Sequence, residues 1–384
     1  SWYHDWMTSG KESHSKDIEV FERQLTDDAY VIFKFFLHIT KKEQSKRLNE
    51  LEASKATKWR VSAHDWKQNK AYAVCKEEYD FMLEKTNFEY AGWDVISGME
   101  RDVALKEVLE TVVKRLEKLC RKVEKDGIHS IEGRGIPVSK MDFELVRKPL
   151  IQDVSLDCTL SEKEYHKRLD KLQDKLLKLS YKLYKKKIPL IICYEGWDAA
   201  GKGGNIKRMV SCFDARDYDV NPVAAPDSYE KARQYLWRFQ KNLPKTGHIA
   251  VFDRTWYGRV MVERLEGFNT ETEWKRAYNE INEFEQELMD WGAIVVKFWL
   301  QIDKDEQLAR FRERENNPAK QWKITDEDWR NRDKWDKYEV AVNDMIKYTS
   351  TKDAPWHIIE SNNKYYARIK AIETVVDAIE SRLS

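Results

Sequence analysis

The segment YEGWDAAGKGGNIKRM (194–209) constrains the fold of this chain more than any other feature. It follows the apolar run 188–193 and spaces Gly196, Gly201 and Lys202 as in a phosphate-binding loop. In such loops a buried strand leads into a glycine-rich turn, and the turn opens a helix whose N–H groups bind anions. The segment therefore predicts an α/β fold with a phosphate site at the carboxyl end of a strand.

The loop departs from the usual motif at the residue that normally holds a metal ion. Gly203 stands where a Ser or Thr hydroxyl would bind Mg²⁺, and Gly204 follows it. Two carboxylates are available instead, Asp198 inside the loop and Asp253 at the end of the apolar strand 248–252. Mg²⁺ binds a few carboxylates together with water and substrate phosphates, so we expect these two to hold Mg²⁺ (or Mn²⁺). The structural alternatives are a helix N-cap at Asp253 and a solvated loop acid at Asp198.

Cations accompany both elements. Arg254 and Arg259 bracket the sequence TWY and suit bidentate contacts with phosphate oxygens. The basic segment 310–323 follows a strand and contains Pro318, as expected for a mobile lid that closes over phosphates. Salt bridges at the two arginines and a solvated charged face along the segment are the alternatives. The predicted phosphate-contacting residues are Gly196, Ala199, Ala200, Gly201, Gly203, Gly204, Arg208, Arg259, Arg310, Arg314, Lys320 and Lys323.

No residue near these motifs stands out as a general base beside a hydroxyl acceptor. Phosphoryl transfer depends mainly on positioning and charge stabilisation. A phosphate oxygen that accepts the group is already ionised and needs no base. The residues therefore favour transfer from one phosphate to another over phosphorylation of a sugar or a protein.

Apolar segments alternate with helical periodicity through the second half of the chain. Ser161 and Glu164 form a candidate capping box before a leucine stripe that spans only two heptads, which favours packing on its own domain over a coiled coil. Such alternation predicts a parallel sheet covered by helices on both faces. Strands are expected at 188–194, 248–252, 294–302 and 356–359, and helices from about 161, 202 and 256, over 304–346 and over 363–382.

The chain also contains an internal repeat. The segment VIFKFFLHITKKEQSKRL (31–48) aligns with IVVKFWLQIDKDEQLARF (294–311), and the same offset persists without a gap to about residue 112. Upstream, SWYHD (1–5) resembles TWYGR (255–259). The earlier copy therefore begins in mid-domain and lacks a counterpart of the phosphate-loop half.

Composition excludes several classes of protein. The chain has 68 Lys and Arg against 67 Asp and Glu, so no general basic surface points to nucleic acid, and any polyanion site is local. Five cysteines without a CxxC pair indicate a reduced, cytoplasmic protein. No apolar run approaches the roughly 18 residues of a membrane span, and no signal peptide is apparent.

Together these segments resemble the type-2 polyphosphate kinases. The motifs EGWDAAGKGG, FDRTWYGRVMVERLEGF and the basic lid with DEDW after it cover about 155–384, and the earlier copy is similar to the second half of that domain. Fused duplicated domains resemble the polyphosphate:AMP phosphotransferases, which make ADP from AMP and polyphosphate with Mg²⁺. The resemblance implies a P-loop kinase-like three-layer α/β/α sandwich with a helical lid, partly duplicated. It also implies that Asp198, Lys202, Asp253 and Arg254 are catalytic.

Three alternatives stay open. A polyphosphate-dependent kinase acting on nucleoside diphosphates, ADP to ATP, would share these motifs, because no base-reading residue is visible. An ATP-dependent nucleotide kinase is disfavoured by Asp198 in the loop and by the missing hydroxyl after Lys202. A non-catalytic sensor is disfavoured because both metal carboxylates are present. Assembly into a homo-oligomer is compatible with all of these functions.

The repeat predicts three regions, a degenerate half-copy (1–125), a linker (126–158) and a complete catalytic domain (159–384). In the half-copy, TSGKESH replaces VERLEGF, and the lid residues Arg312, Arg314 and Lys320 become Asn49, Leu51 and Thr57. A site that loses these cations should bind a polyanion poorly, so we expect the half-copy to be structural. The unpaired edges of its apolar strand 31–39 would need to be buried by the complete copy, by a neighbouring chain or by the rest of a longer protein.

Overall fold

The computed structural model describes residues 13–384, with Ser13 and His14 described for their backbone alone. SWYHD and most of TSGKESH therefore lie outside the described residues. The chain divides into two compact units, one ending at Gly135 and the other spanning Ile136–Ser384. The division falls within the segment 126–158 that was predicted as a linker.

The first unit, as described from residue 13, contains two strands and five α-helices. Strands β1 (Lys34–His38) and β2 (Trp93–Ser97) pair in parallel. The helices are α1 (Ser13–Asp27), α2 (Lys41–Ala53), α3 (Ala63–Lys70), α4 (Tyr72–Lys85) and α5 (Arg101–Asp126).

The second unit is built on a five-stranded parallel sheet with the order β4-β5-β3-β6-β7. Its central strands are mostly apolar because helices cover both faces, as expected for a parallel sheet. The strands are β3 (Leu190–Gly196), β4 (Tyr218–Pro222), β5 (Ile249–Asp253), β6 (Ile294–Gln301) and β7 (Trp356–Glu360). The α-helices are α6 (Glu162–Lys186), α7 (Lys202–Val210), α8 (Ser228–Lys231), α9 (Trp237–Gln240), α10 (Val262–Glu266), α11 (Glu271–Asp290), α12 (Lys304–Glu315), α13 (Asp326–Asp333), α14 (Trp335–Thr349) and α15 (Lys364–Leu383).

Helix α6 shows how the sequence pattern produces this packing. The Ser161 hydroxyl accepts a hydrogen bond from the Glu164 N–H at 3.3 Å and caps the helix. Leu176 and Leu183 are fully buried, and α6 packs along α15. The leucine stripe therefore packs within its own domain, as the sequence predicted.

Three sequence expectations need correction. Strand β4 was missed because it is an edge strand whose residues are half-buried or exposed and form no apolar run. The helix expected from 256 is instead a 3-10 turn (Trp256–Val260) followed by the short α10. The helical stretch 304–346 is interrupted around Pro318, as the sequence indicated, but it is interrupted a second time at Lys334, so that it forms α12, α13 and α14.

The two units share one structural plan, which confirms the repeat. In the first, Lys34 pairs with Trp93 across the two strands, and in the second Lys297 pairs with Trp356. The alignment of the repeat matches Lys34 with Lys297 and Trp93 with Trp356. The equivalent strands therefore have the same register.

A buried ion pair also recurs at equivalent positions. Lys34 Nζ lies 2.7 Å from Glu22 Oε2, and Lys297 Nζ lies 2.6 Å from Glu285 Oε2. Both lysines are almost completely buried, so each charge depends on its carboxylate partner. Among residues 13–384, no helix is both long enough and apolar enough to cross a bilayer.

Candidate active site

The loop between β3 and α7 has a backbone that requires glycine at two positions. Gly196 and Gly201 have φ angles of 149° and 103°, in the region that L side chains rarely adopt. A Cβ atom at Gly196 would lie 2.7 Å from the Leu300 carbonyl oxygen of β6. The first motif glycine therefore lets the loop cross close to the neighbouring strand.

Contacts from distant elements fix the loop. The carbonyl oxygens of residues 198–200 accept hydrogen bonds from Gln307 Nε2, Arg310 Nη1 and Ser361 Oγ, at 3.1, 2.9 and 2.6 Å. The Trp197 ring stacks on Trp335 with centroids 3.7 Å apart. Since its carbonyl groups are held on the protein side, the loop is pre-organised as an anion cradle.

Arg310 was predicted to contact phosphate, but its guanidinium group is committed to the protein. The residue is 4% exposed and bonds to Glu306 at 2.6 Å, besides the loop carbonyl. It also donates to the carbonyl oxygens of Ser361 and Asn362. Arg310 lines a cavity, yet its main contacts position the loop.

Arg259 needs a similar correction. Its guanidinium group pairs with Glu263 at 3.0 Å and with Glu273 at 2.7 Å, and its side chain is 11% exposed. It lines neither of the two cavities described below. The structural salt bridge, which was the alternative to a phosphate contact, is what the structure contains.

Asp198 and Arg254 face each other from neighbouring loops. Arg254 Nη2 lies 3.5 Å from Asp198 Oδ1, and Asn331 Nδ2 donates to Asp198 Oδ2 at 3.0 Å. Burial opposes the charge on Arg254, but the surrounding carboxylates, Asp198 foremost, raise its pKa above the ordinary value. Arg254 also has a left-handed backbone, with φ of 67°, a strain that is typical of functional sites.

Asp253 ends strand β5, which pairs directly with β3. It is half-buried, and within the described part of the chain no hydrogen bond or ion pair engages its carboxylate oxygens. Asp253 lines neither of the two cavities described below, so its place in a cation site is inferred from its position at the end of β5, next to the loop that carries Asp198. Among the described residues, no group of three or more His, Cys, Asp or Glu side chains is arranged to hold a metal ion.

Glu195 is a functional-site residue that the sequence reasoning missed. Its Oε1 atom accepts hydrogen bonds from the backbone N–H and the hydroxyl of Thr255, both at 2.7 Å. Burial raises the pKa of the Glu195 carboxyl to about 7, although the Thr255 bonds and Lys202 act in the opposite direction. The signal in the sequence was an acid at the end of an apolar strand, directly before the loop.

The first of two cavities, which we call the apolar cavity, opens beside the loop. Its volume is about 200 Å³. At one end it is lined by Glu195, Asp198, Lys202 and Arg254. The remaining wall is largely apolar and includes Val223, Ala224, Ala225, Pro226, Phe239, Met261, Val262 and Phe268.

The second cavity, which we call the basic cavity, has a volume of about 310 Å³. Glu313 is the one carboxylate in its lining, against seven cations. The cationic residues are Arg208, Arg310, Arg314, Lys320, Lys323, Lys364 and Arg368. The structure thus brings Arg208, Arg314, Lys320 and Lys323 together as the sequence predicted.

Lys364 and Arg368, in the first turns of α15, were not predicted. They belong to no recognisable motif. They line the cavity because α15 follows β7, which lies beside β6 in the sheet. Burial lowers the pKa of Lys364, and repulsion from the nearby Arg310 lowers it further. An anion in the cavity would relieve this repulsion.

The two cavities differ in the strands that supply most of their lining. The apolar cavity is lined mainly by segments that follow β3, β4 and β5, together with Trp299 of β6 and four residues of the helices after β6, Gln307, Glu327, Asn331 and Tyr338, whereas the basic cavity is lined by segments that follow β3, β6 and β7. Both include loop residues, Gly196–Asp198 and Lys202 on one side, and Ala199–Gly201 on the other. The phosphate loop therefore lies between an apolar chamber and a basic one.

Known proteins share this arrangement of sequence and fold. The family model "Polyphosphate kinase 2 (PPK2)" matches residues 7–124 and 159–384. The polyphosphate:AMP phosphotransferase of Pseudomonas aeruginosa is 39% identical over 390 residues, which cover 99% of this chain and 77% of the relative. The ADP-polyphosphate phosphotransferase 2 of Rhizobium meliloti is 38% identical over 220 residues, 57% of this chain and 72% of the relative.

Among solved structures, one described as a putative polyphosphate kinase 2 from Pseudomonas aeruginosa superposes with a TM-score of 0.81 at 37% identity. The match covers all of this chain and 76% of that one. The two stretches of the family model correspond to the half-copy and the complete copy of the repeat. The chain belongs to the polyphosphate kinase 2 family.

Proposed function

We propose that this protein transfers a phosphoryl group from inorganic polyphosphate to AMP and thereby produces ADP. The observation that carries the proposal is the phosphate loop shared by two unlike cavities. The basic cavity, with seven cations and one carboxylate, suits a long polyanion. The apolar cavity, with charged groups at its loop end, suits a nucleotide, because a nucleotide combines the apolar ring faces of its base with a charged phosphate.

The loop would be the place of transfer. An oxygen of the AMP phosphate attacks the terminal phosphorus of the chain, a new P–O bond forms, and the bond to the next phosphate breaks. The products are ADP and a chain shorter by one phosphate. Lys202, which now donates to the carbonyl oxygens of Gly196 and Trp197, and Arg254 are placed to stabilise the charge that spreads over the transferred group.

Asp198 and Asp253 are the residues that we propose hold Mg²⁺ (or Mn²⁺). Their carboxylates follow two adjacent strands, and that of Asp253 has no protein partner among the described residues. The ion would offset the negative charge of the phosphates as they come together. Arg254 and Asn331 orient Asp198 without burying its carboxylate completely.

AMP is favoured over ADP as acceptor by the way the relatives match. The relative named for AMP aligns with 99% of the chain, whereas the relative named for ADP aligns with 57%. A cytoplasmic location and assembly into a homo-oligomer stay predictions. Neither is needed for the chemistry.

The test supplies the protein with polyphosphate, Mg²⁺ and either AMP or ADP, and follows the nucleotide products by chromatography. Formation of ADP from AMP, at a higher kcat/KM than formation of ATP from ADP, is the expected result. A preference for ADP would replace this proposal with a diphosphate kinase. Equal turnover with ATP as the donor and no polyphosphate would point to an ordinary nucleotide kinase.

A further inference from the structure

Phe268 has an exposed ring in the lining of the apolar cavity. The residue is 74% exposed, whereas Trp197, Phe239 and Trp299 in the same lining are at most 5% exposed. An aromatic ring at the mouth of a cavity loses contact with water when a flat apolar group covers it. The position of Phe268 therefore suits a ligand that has a flat apolar group.

The backbone holds Phe268 in place. Gly267 ends α10 in the left-handed conformation, with φ of 70°, and the Phe268 N–H donates to the Glu263 carbonyl oxygen at 2.9 Å. The ring thus follows a capped helix end. Its backbone position is set before any ligand arrives.

Polar groups near the apolar wall are already engaged. Arg238 donates to the Ala224 carbonyl oxygen at 2.8 Å and lies 3.3 Å from Glu230. The Glu263 carboxylate pairs with Arg259 at 3.0 Å. Arg238 and Glu263 therefore have protein partners, so the edge of a base would find neither of them free for hydrogen bonds.

The order of the strands also fits this role for Phe268. The charged end of the cavity lies at the loop after β3, and the apolar wall follows β4 and β5 on the outer side. A nucleotide with its phosphate at Lys202 would extend its base away from the basic cavity, towards this wall. The ribose would bridge the two ends.

We propose that Phe268 is the platform on which the nucleobase of the acceptor stacks, and that the base is read by its ring face more than by its edge. The inference rests on the proposed nucleotide acceptor. Since stacking on a ring face does not depend on the groups at the edge of the base, guanine should depend on Phe268 as adenine does.

The experiment compares Phe268→Ala and Phe268→Trp with the wild type in steady-state assays that vary AMP and polyphosphate separately. Loss of base stacking costs about 1–3 kcal/mol, so the KM for AMP should rise roughly 5- to 150-fold in the alanine variant. The KM for polyphosphate should stay within twofold, and the tryptophan variant should retain tight AMP binding. GMP should respond as AMP does.

The matched control is Trp291→Ala, an aromatic that is 45% exposed and lies before β6, at the amino-terminal end of the strands, whereas the cavities lie at the carboxyl-terminal end. It should leave both KM values unchanged. An AMP KM in Phe268→Ala within twofold of the wild type would overturn the inference, as would a parallel rise in both KM values. Failure of the wild type to use AMP at all would instead overturn the proposed function.

Discussion

Salt should weaken the binding of polyphosphate strongly, although the chain carries a formal net charge of only +1. Seven cations and one carboxylate line the basic cavity, and Glu306 neutralises Arg310 at 2.6 Å. About five uncompensated charges therefore face the ligand. A flexible polyanion resembles single-stranded nucleic acid, for which each neutralised charge contributes about −0.7 to the slope of log K against log salt. The expected slope is about −3.5, or roughly a hundredfold loss of affinity between 50 and 200 mM salt.

The assay measures the dissociation constant of a fluorescently labelled polyphosphate at several KCl concentrations, with Mg²⁺ and pH fixed. Lys323→Gln and Arg368→Gln should each reduce the magnitude of the slope by about 0.7. Lys245→Gln is the matched control, because Lys245 is exposed and precedes β5, at the amino-terminal end of the strands, whereas the cavities lie at the carboxyl-terminal end. It should leave the slope unchanged.

Two results would refute this reasoning. A slope shallower than about −1 would mean that the basic cavity does not take up the chain. An effect of Lys245→Gln as large as that of Lys323→Gln would mean that the whole surface, and not this cavity, binds polyphosphate.

Other perturbations test the remaining parts of the site and the core. Asp198→Asn and Asp253→Asn should each lower kcat at least about a hundredfold, since a lost charge partner costs a few kcal/mol, and near-normal rates at saturating Mg²⁺ would contradict the metal assignment. Glu195→Gln should stabilise the ligand-free protein at pH 8 by about 3 kcal/mol in denaturant titrations, and hardly at all at pH 4.5. The sign follows because the pKa of the Glu195 carboxyl is raised to about 7 in the folded protein, which therefore favours the neutral acid. The wild type keeps its full stability at low pH and loses part of it as the pH rises through 7, whereas glutamine is neutral at every pH. Lys297→Met should destabilise folding by about 3–5 kcal/mol because it leaves the Glu285 charge buried, and the double variant with Glu285→Gln should recover much of the loss, since the amide oxygen can still accept from Trp256 Nε1 and the Tyr257 hydroxyl.

Local motifs made the fold and the phosphate loop predictable. The conformation of the loop depends on glycines that the motif itself contains, and the strands on either side are contiguous apolar runs. The repeat predicted the equivalence of Lys34 and Lys297, which the shared register confirms. Strand β4 could not be predicted in this way, because an edge strand buries too little surface to need an apolar sequence.

The site was predictable in part. Asp198, Lys202 and Arg254 lie together in the lining of the apolar cavity, as their motifs indicated. Glu195 was overlooked because its role depends on Thr255, which lies on another strand end. Phe268 appeared in the sequence only as the last letter of a motif, without any sign that its ring is exposed.

The sequence by itself determined that this chain folds around a phosphate loop and carries enough nearby cations to bind a polyanion. Only the tertiary structure decided which cations are available. Arg259 and Arg310 were indistinguishable in sequence from Arg314, yet the first two are buried against carboxylates and carbonyl oxygens, whereas Arg314 makes one exposed bond, to the Lys323 carbonyl oxygen, and stays in the lining of the basic cavity. Lys364 joined the cavity from a helix distant in sequence. A motif fixes the backbone that its own residues form, whereas the charge that a side chain offers to a ligand depends on whatever the fold places beside it.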